Sequence, residues 1–529
     1  MQRNIYLIIL FFGFQINLFS QVLIPGDLQN DIFKLITLEN DFEDKPIVIN
    51  PSILTYYDID SMSFLGWERL IFNTKQVGDR SFRVINPSAS MSYNSEYARG
   101  LNDGAVWLGR GLNSSMNFGF TGRKGKFHYS FAPVVYYAQN KPYRIDSGPF
   151  DKNEFQYPFN RGIDWVLRYG DNAFVDFWWG QSEVRFIEKN FTVGLSTQNF
   201  IWGPSQINPL LMSNNAPGIP HIDIGTATPF RTKSGDWEFK VYWGVMQESD
   251  YFDEESDNDL RYLNAWTVGY RPSFMEGLSV GMTRIKYRDM PDGGRLGFKD
   301  LFTSFSTEVL EDPDPIVPGG QNDVYDQMAA FTMRWAFPDK GFEFYIEYAL
   351  NDFPGNLAGL LELPDRSRAY NLGFIKVKDL KNGAKLLLNY EHTTLANNQT
   401  QINNITPTYY AHSVVKQGYT NNGQIMGAAD GPGANADLLR VNYYINSHIV
   451  GFSYHRTRHN DDYLVKNFPF GDPPHDWENS FDLSYSRQWN NMFVDAHMNV
   501  TTRRNWYFDT DVFTFYNIQP SVRLTYILP

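Results

Sequence analysis

The chain has 529 residues, with 46 Lys and Arg against 59 Asp and Glu, a net charge of −13, no Cys and 16% aromatic residues. That charge argues against a nucleic-acid partner, whose phosphates require a basic face, and 42 Phe, 32 Tyr and 13 Trp supply far more buriable surface than a disordered chain carries. Without Cys, disulfides, thiolate metal sites and a Cys nucleophile are excluded.

Residues 1–20 read as a secretory signal: Arg3 is the only early charge, an apolar run covers 5–14, and the small Ser20 precedes a cut at Gln21. No later run of about 18 apolar residues could form a membrane-crossing helix. Residues 21–85 are expected to form a small periplasmic or plug-like segment. Leu28, Ile32 and Leu35 have helical spacing within 27–38, whereas 46–59 looks extended.

From 86 to 529 the pattern changes to period two, the mark of strands with two unlike faces. It is read at 127–137, 165–169, 278–284, 481–487 and 522–528. It is clearest where Trp237, Phe239, Val241, Trp243 and Val245 oppose Glu238, Lys240, Tyr242 and Gly244, and where Phe342, Phe344, Ile346 and Tyr348 oppose Glu343, Tyr345 and Glu347. An exported all-β chain of this size is a soluble sandwich or propeller, or an outer-membrane barrel whose outer face meets lipid. The barrel explains more. Tyr136-Tyr137, Trp178-Trp179 and Trp506-Tyr507 would sit in aromatic girdles, and the polar stretches 311–326 and 397–404 would be extracellular loops. With a strand and its connection taking about 24 residues, about eighteen strands fit. The expected fold is therefore all-β, a large antiparallel transmembrane β-barrel of about 18 strands with a small N-terminal segment.

Catalytic and metal motifs dissolve on inspection. Gly277-Leu278-Ser279-Val280-Gly281 matches a nucleophile elbow, but the alternation continues to Arg284 with no helix following. His455 and His459 are four apart, which on a strand puts them roughly 13 Å from one another, too far to share a metal. The acidic residues Asp250, Asp253, Glu254, Glu255, Asp257 and Asp259 lack the ligand order and turn Gly of a calcium loop. No cofactor, metal or catalytic residue is expected.

Two loops carry the residue types that stack on sugar rings and bond to hydroxyls. In the first, Trp202, Asn208, Asn214, Asn215 and His221 are candidates for binding polysaccharide. In the second, Tyr410, His412, Tyr419 and Gln424 follow, and Trp477, between Asp476 and Glu478, is added as a surface-loop residue. The plainer alternative is loop architecture, with Gly and Pro setting turns and Asn bonding its own chain.

The run Trp202-Gly203-Pro204 through Ser213-Asn214-Asn215-Ala216-Pro217-Gly218-Ile219-Pro220 resembles the capsule assembly Wzi family. The later Gly423-Gln424-Ile425-Met426-Gly427 and Gly431-Pro432-Gly433, and Asn102-Asp103-Gly104-Ala105-Val106-Trp107-Leu108-Gly109-Arg110-Gly111, share the resemblance. It implies an eighteen-stranded outer-membrane barrel with a helical periplasmic part, acting as a surface lectin that anchors capsular polysaccharide. Some members are tied to gliding motility and adhesion. A departure from the family is a shorter, less helical N-terminal segment, which implies a reduced periplasmic part, and a departure from the barrel pattern is an end at Tyr526-Ile527-Leu528-Pro529 instead of an aromatic residue. The implied partners are outer-membrane lipid and surface polysaccharide. The rival readings are a platform for gliding, adhesion or export machinery with protein partners, and a diffusive channel, against which the inward aromatics Tyr242 and Tyr345 weigh.

Overall fold

The computed structural model describes residues 32, 35–38, 45–50, 80–145, 148–150, 152–255, 258–291, 294, 296–306, 325–351, 367–397, 408–467, 474–509 and 514–528. The expected signal at 1–20, Leu28, most of the extended stretch 46–59, and the greater part of the loops 311–326 and 397–404 lie outside the described residues. Ile32 and 35–38 are helical and their apolar side chains are buried, in keeping with the spacing read from the sequence.

Among the described residues, twenty-three strands form one antiparallel sheet. It begins at Arg80–Val84, inside the segment assigned to the N-terminal part, and its last strand, Phe515–Tyr526, pairs with Ser88–Asn94 near its start. Short turns join the strands at one end. Gly341 (φ 52°) and Asn490 (φ 51°) supply the left-handed conformation two of these turns need. Long connections join the strands at the other end, and several fold back across the sheet's inner face. Among the described residues no helix is long and apolar enough to cross a membrane.

The period-two reading holds in many of the strands, whereas 261–265 and 283–287 are buried on both faces. In Gly235–Gln247, Glu238, Lys240 and Tyr242 are buried while Trp237, Phe239, Val241 and Trp243 are only half-buried. In Phe342–Asn351 the first seven residues alternate, with Glu343, Tyr345 and Glu347 buried, and the last three, Ala349, Leu350 and Asn351, are all buried. The polarity is inverted relative to a water-soluble sheet. Val175 (68% exposed), Leu195 (61%) and Leu483 (61%) point outward, whereas Glu347, Asp223 and Arg261 are at 1% or less. A soluble protein could not afford this arrangement, because exposed apolar rows seek burial and buried charges need partners.

Here the charges have partners. Arg185 grips Asp223 through two hydrogen bonds of 2.7 and 2.8 Å, Lys240 donates to Asp223 at 2.6 Å, and Arg185 also reaches Glu183 at 2.8 Å. Three wall carboxylates instead accept backbone N–H groups from segments lying on the inner face. Glu238 takes those of Ile47, Val48 and Ile49 at 3.3, 2.7 and 2.9 Å. Glu347 takes those of Ser205 and Leu210, both at 2.9 Å, and Glu391 those of Gln206 and Asn208 at 2.7 and 2.8 Å. Gly203 (φ 117°) makes this approach possible, since a Cβ there would lie 2.2 Å from Glu347 Oε1.

Three local expectations are corrected. Residues 165–169 are not a strand. Only Val166 forms a bridge, to Gln156, and its N–H donates to the Gly423 carbonyl. The alternation there reflects an inner loop burying Val166 and leaning Trp165 on Tyr157 (centroids 4.8 Å). Trp506 is no girdle residue but is buried beneath Arg503 and edge-on to Tyr97. Trp477 lies within the strand Asp476–Trp489, not in a surface loop, because its neighbours Asp476 and Glu478 alternate onto the buried face.

Candidate functional site

The two loops singled out by residue type interlock on the inner face. Ser213 donates its N–H to the Met426 carbonyl at 3.0 Å and its hydroxyl to the Gly427 carbonyl at 2.6 Å, and Asn215 Nδ2 donates to the Ile425 carbonyl at 2.9 Å. Trp202, beside Phe200, stands edge-on to Tyr242, and His221 stacks on Tyr242 at 4.3 Å while its Nδ1 meets the Ile219 carbonyl at 2.7 Å. Asn208 donates to Asp430 Oδ2 at 2.6 Å. Burial works against the Asp430 charge, but His455, His459 and Asn208 outweigh it and hold the carboxyl below its ordinary value. Tyr410 donates to the Leu210 carbonyl at 2.7 Å and accepts the Ala428 N–H at 2.8 Å, with Tyr419 stacked beyond it. Burial raises both hydroxyl pKa values far above the usual tyrosine range. His412 Nδ1 accepts the Val415 N–H at 3.0 Å, and Gln424 donates to the Tyr169 hydroxyl at 3.0 Å.

With Asn214, whose Nδ2 donates to the Asn102 carbonyl at 2.7 Å, these nine residues are joined in one packed body, within which Trp202 Nε1, Asn208 Oδ1, His221 Nε2 and the Tyr419 hydroxyl are buried without a hydrogen bond. Trp477 stands apart on the outer face, with the guanidinium groups of Arg456 and Arg458 5.3 and 5.7 Å from its ring centre.

Open space lies elsewhere on the inner face. A cavity of about 360 Å³ separates the packed loops from the wall formed by the last strands and the first. On the wall side, His497 is held between Asp482 (Nδ1 to Oδ2, 2.8 Å) and Asp495 (Nε2 to Oδ2, 3.3 Å), and Ser486 donates to Asp495 at 2.5 Å. Arg523 sits directly across the ladder from Asp495. Asn499 and Gln519 add amides, and Ser90 and Ser115, 2.6 Å apart, add hydroxyls. On the loop side are Asp103, Asn199 and Asn214, the last being the one nominated residue that borders the cavity. Desolvation raises the Asp103 carboxyl to about 7, against the opposing pull of the Leu101 backbone and Arg99. Mixed donors and acceptors of this kind suit an uncharged or weakly charged polyhydroxylated ligand, each of whose hydroxyls both donates and accepts.

The wall residues Asp482, Asp495, His497, Asn499, Gln519 and Arg523 escape a reading that looks for sugar-like loops. The signal that could have found them is their position at alternate sites of three successive strands, where each should be hydrophobic if both faces met apolar surroundings.

Residues 87–505 match the family described as Capsule assembly protein Wzi. The chain belongs to that family. The solved structure of Wzi from Escherichia coli is similar over 96% of this chain and 99% of its own, with a TM-score of 0.62 and 12% identity. At that identity the likeness is one of fold. The Escherichia coli protein is described as an outer membrane protein involved in group 1 capsule assembly and as a carbohydrate binding β-barrel. Pseudomonas aeruginosa OpdQ is similar more loosely, over 86% of this chain and 99% of its own, at 10% identity and a TM-score of 0.41. No curated protein sequence matches. In this member of the Wzi family, two of the motifs that carry the family resemblance are the interlocked inner loops, and the third, 102–111, is tied to the first by Asn102 Nδ2 donating to the Ile207 carbonyl at 2.7 Å.

Proposed function

We propose that the chain is an outer-membrane β-barrel that binds or organises a surface polysaccharide by non-covalent recognition, without catalysis. The observation that carries this reading is membership of the Wzi family over 87–505, whose Escherichia coli member is described as a carbohydrate-binding barrel.

The barrel reading is supported by the strand count. Arg80–Val84 with Ser88–Asn94, Gly111–Asn117 with Phe120–Lys124, Phe127–Phe131 with Val134–Ala138, Phe174–Trp178 with Glu183–Glu188, and His221–Thr226 with Phe230–Thr232 are each one strand interrupted by an irregularity. Merging these five pairs turns twenty-three strands into eighteen. An even number of tilted strands, apolar outside and polar inside, is what lipid on one face and water on the other select. The interlocked loops and residues 45–50 then act as a plug, which disfavours free diffusion through the interior.

Recognition of a polymer is supported by the polar cavity and by the repeated hydroxyl-binding groups along its wall. Modest affinity per sugar is offset by repetition, since a long polymer engages many barrels at once. The test is binding of the purified chain, held in detergent, to a panel of surface oligosaccharides. Saturable binding to one class, weakened by His497→Ala, is expected. Absence of binding across the panel while the barrel remains folded would overturn the reading.

A further inference from the structure

The short 3-10 helix Phe298–Phe305 lies in the long connection between the strands Leu278–Asp289 and Asp326–Phe337, and it packs on the outer face of the sheet, not on the inner one. Trp243 Nε1 donates to the Leu301 carbonyl and Trp266 Nε1 to the Ser304 carbonyl, both at 2.8 Å. Ser304 N–H donates to Asn264 Oδ1 at 2.9 Å, and the Tyr262 hydroxyl donates to the Asp300 carbonyl at 3.0 Å. These wall residues share the face opposite Leu263 and Ala265, which belong to the inner core. By bonding there, the helix covers polar atoms that an apolar surrounding would leave unsatisfied.

Its exposed side carries three Phe and one Lys, Lys299. Phe298, Phe302 and Phe305 are 79%, 47% and 52% exposed and touch in sequence, with centroids 5.4 and 6.4 Å apart, and Phe305 stacks on Trp266 at 5.9 Å. Trp266 is six residues from the strand end at Leu260, so the ridge reaches down the wall by up to about 20 Å along the strand. Through Trp266 it joins the outer-face positions Val268 and Tyr270 of the same strand. Indole N–H groups tied to carbonyls beneath a phenylalanine ridge match the boundary between head groups and acyl chains.

We propose that Phe298–Phe305 is an interfacial anchor seated in the lipid at the long-connection end of the barrel, with its phenylalanine ridge among acyl chains. The inference rests on the membrane-barrel reading. It identifies lipid, not a protein partner, as what covers this ridge.

The chain has no Cys, so Phe302→Cys and, separately, Phe298→Cys each introduce one labelling site. Leu483→Cys on the outer wall and Glu254→Cys in an exposed loop are the references. Each variant carries a bimane label and is placed in phosphatidylcholine nanodiscs, which leave both membrane surfaces open to iodide. Nitroxides on the acyl chains are expected to quench the Phe298 and Phe302 labels to within about twofold of the Leu483 label, and iodide several-fold less than the Glu254 label. Iodide quenching equal to that at Glu254 would place the ridge in water and overturn the proposal. Shielding from both quenchers would mean a protein surface covers it, which also overturns it. If the Leu483 label itself escapes acyl-chain quenching, the membrane reading fails, and the anchor with it.

Discussion

Asn208 and Glu391, 183 positions apart in the chain, meet on the inner face, where the Asn208 backbone N–H donates to Glu391 Oε1 at 2.8 Å. The same carboxylate accepts the Gln206 N–H at 2.7 Å, the Tyr345 hydroxyl at 2.8 Å and Asn371 Nδ2 at 2.9 Å. One wall side chain thus orders both its own neighbours and the loop that carries the family motif.

Glu391→Ala leaves several buried donors without an acceptor, at about 1–3 kcal/mol each before relaxation. The expected result is a loss of stability of at least about 3 kcal/mol, together with faster amide hydrogen exchange at 206–208. Glu391→Gln keeps one acceptor oxygen and should lose less. Unchanged exchange at 206–208 in Glu391→Ala would show that the loop is held by other contacts.

Trp202 and His497 separate packing from recognition. Trp202 is 2% exposed in the inner core, so Trp202→Ala should cost about 3–5 kcal/mol of stability and leave the affinity of the folded fraction for oligosaccharide unchanged. His497→Ala takes the shared partner from Asp482 and Asp495, so it should lower the unfolding temperature, and its folded fraction should bind about tenfold more weakly, roughly 1.4 kcal/mol. Titration of both variants against the same oligosaccharide checks the division, and a loss of affinity confined to Trp202→Ala would reverse it.

The buried Glu248, just beyond the strand Gly235–Gln247, has its carboxyl raised from 4.5 to about 7 by burial, with Asp253 and Asp164 adding to the shift and the Gln417 amide opposing it. The folded state therefore holds a proton that the unfolded chain releases near 4.5. The stability this group contributes is complete below about pH 4.5 and is lost as pH rises through about 7. Glu248→Gln keeps the acceptor for Gln417 and should raise the unfolding midpoint at pH 8 but not at pH 4. Equal midpoints at both pH values for the variant and the parent would contradict this.

Leu483 lies mid-strand on the outer face, opposite Phe452 and Met498. Leu483→Arg should cost about 2–4 kcal/mol in urea titrations of the chain folded into phospholipid vesicles. Ser484→Arg changes the opposite face, so its effect should differ in kind, through crowding of the inner wall. A neutral Leu483→Arg would argue against lipid on this face.

The faces of the sheet were legible because alternation is local: Glu238 and Lys240 against Trp237 and Phe239 need no knowledge of the rest of the chain. What fills the interior was not legible, because it depends on contacts such as Glu391 with 206–208 and Glu238 with 47–49, across nearly two hundred residues. Residues 165–169 mimic a strand for the same reason, since a loop pressed on a core also alternates buried and open positions. Trp202, Asn208 and Tyr410 drew attention as sugar-binding types, yet aromatic rings and amides serve a packed plug equally well. The cavity wall at Asp495 and His497 was hidden in plain alternation, where each polar residue looked like one more inward strand position.

The central claim is that the chain holds polysaccharide at the cell surface. The most direct test is the split of surface polysaccharide between cells and medium, compared at equal total polysaccharide in cells that make the chain and cells from which it has been deleted. A shift into the medium on deletion, reversed by the parent chain and reversed poorly by His497→Ala, is the predicted result. An unchanged split in the deletion would contradict the claim.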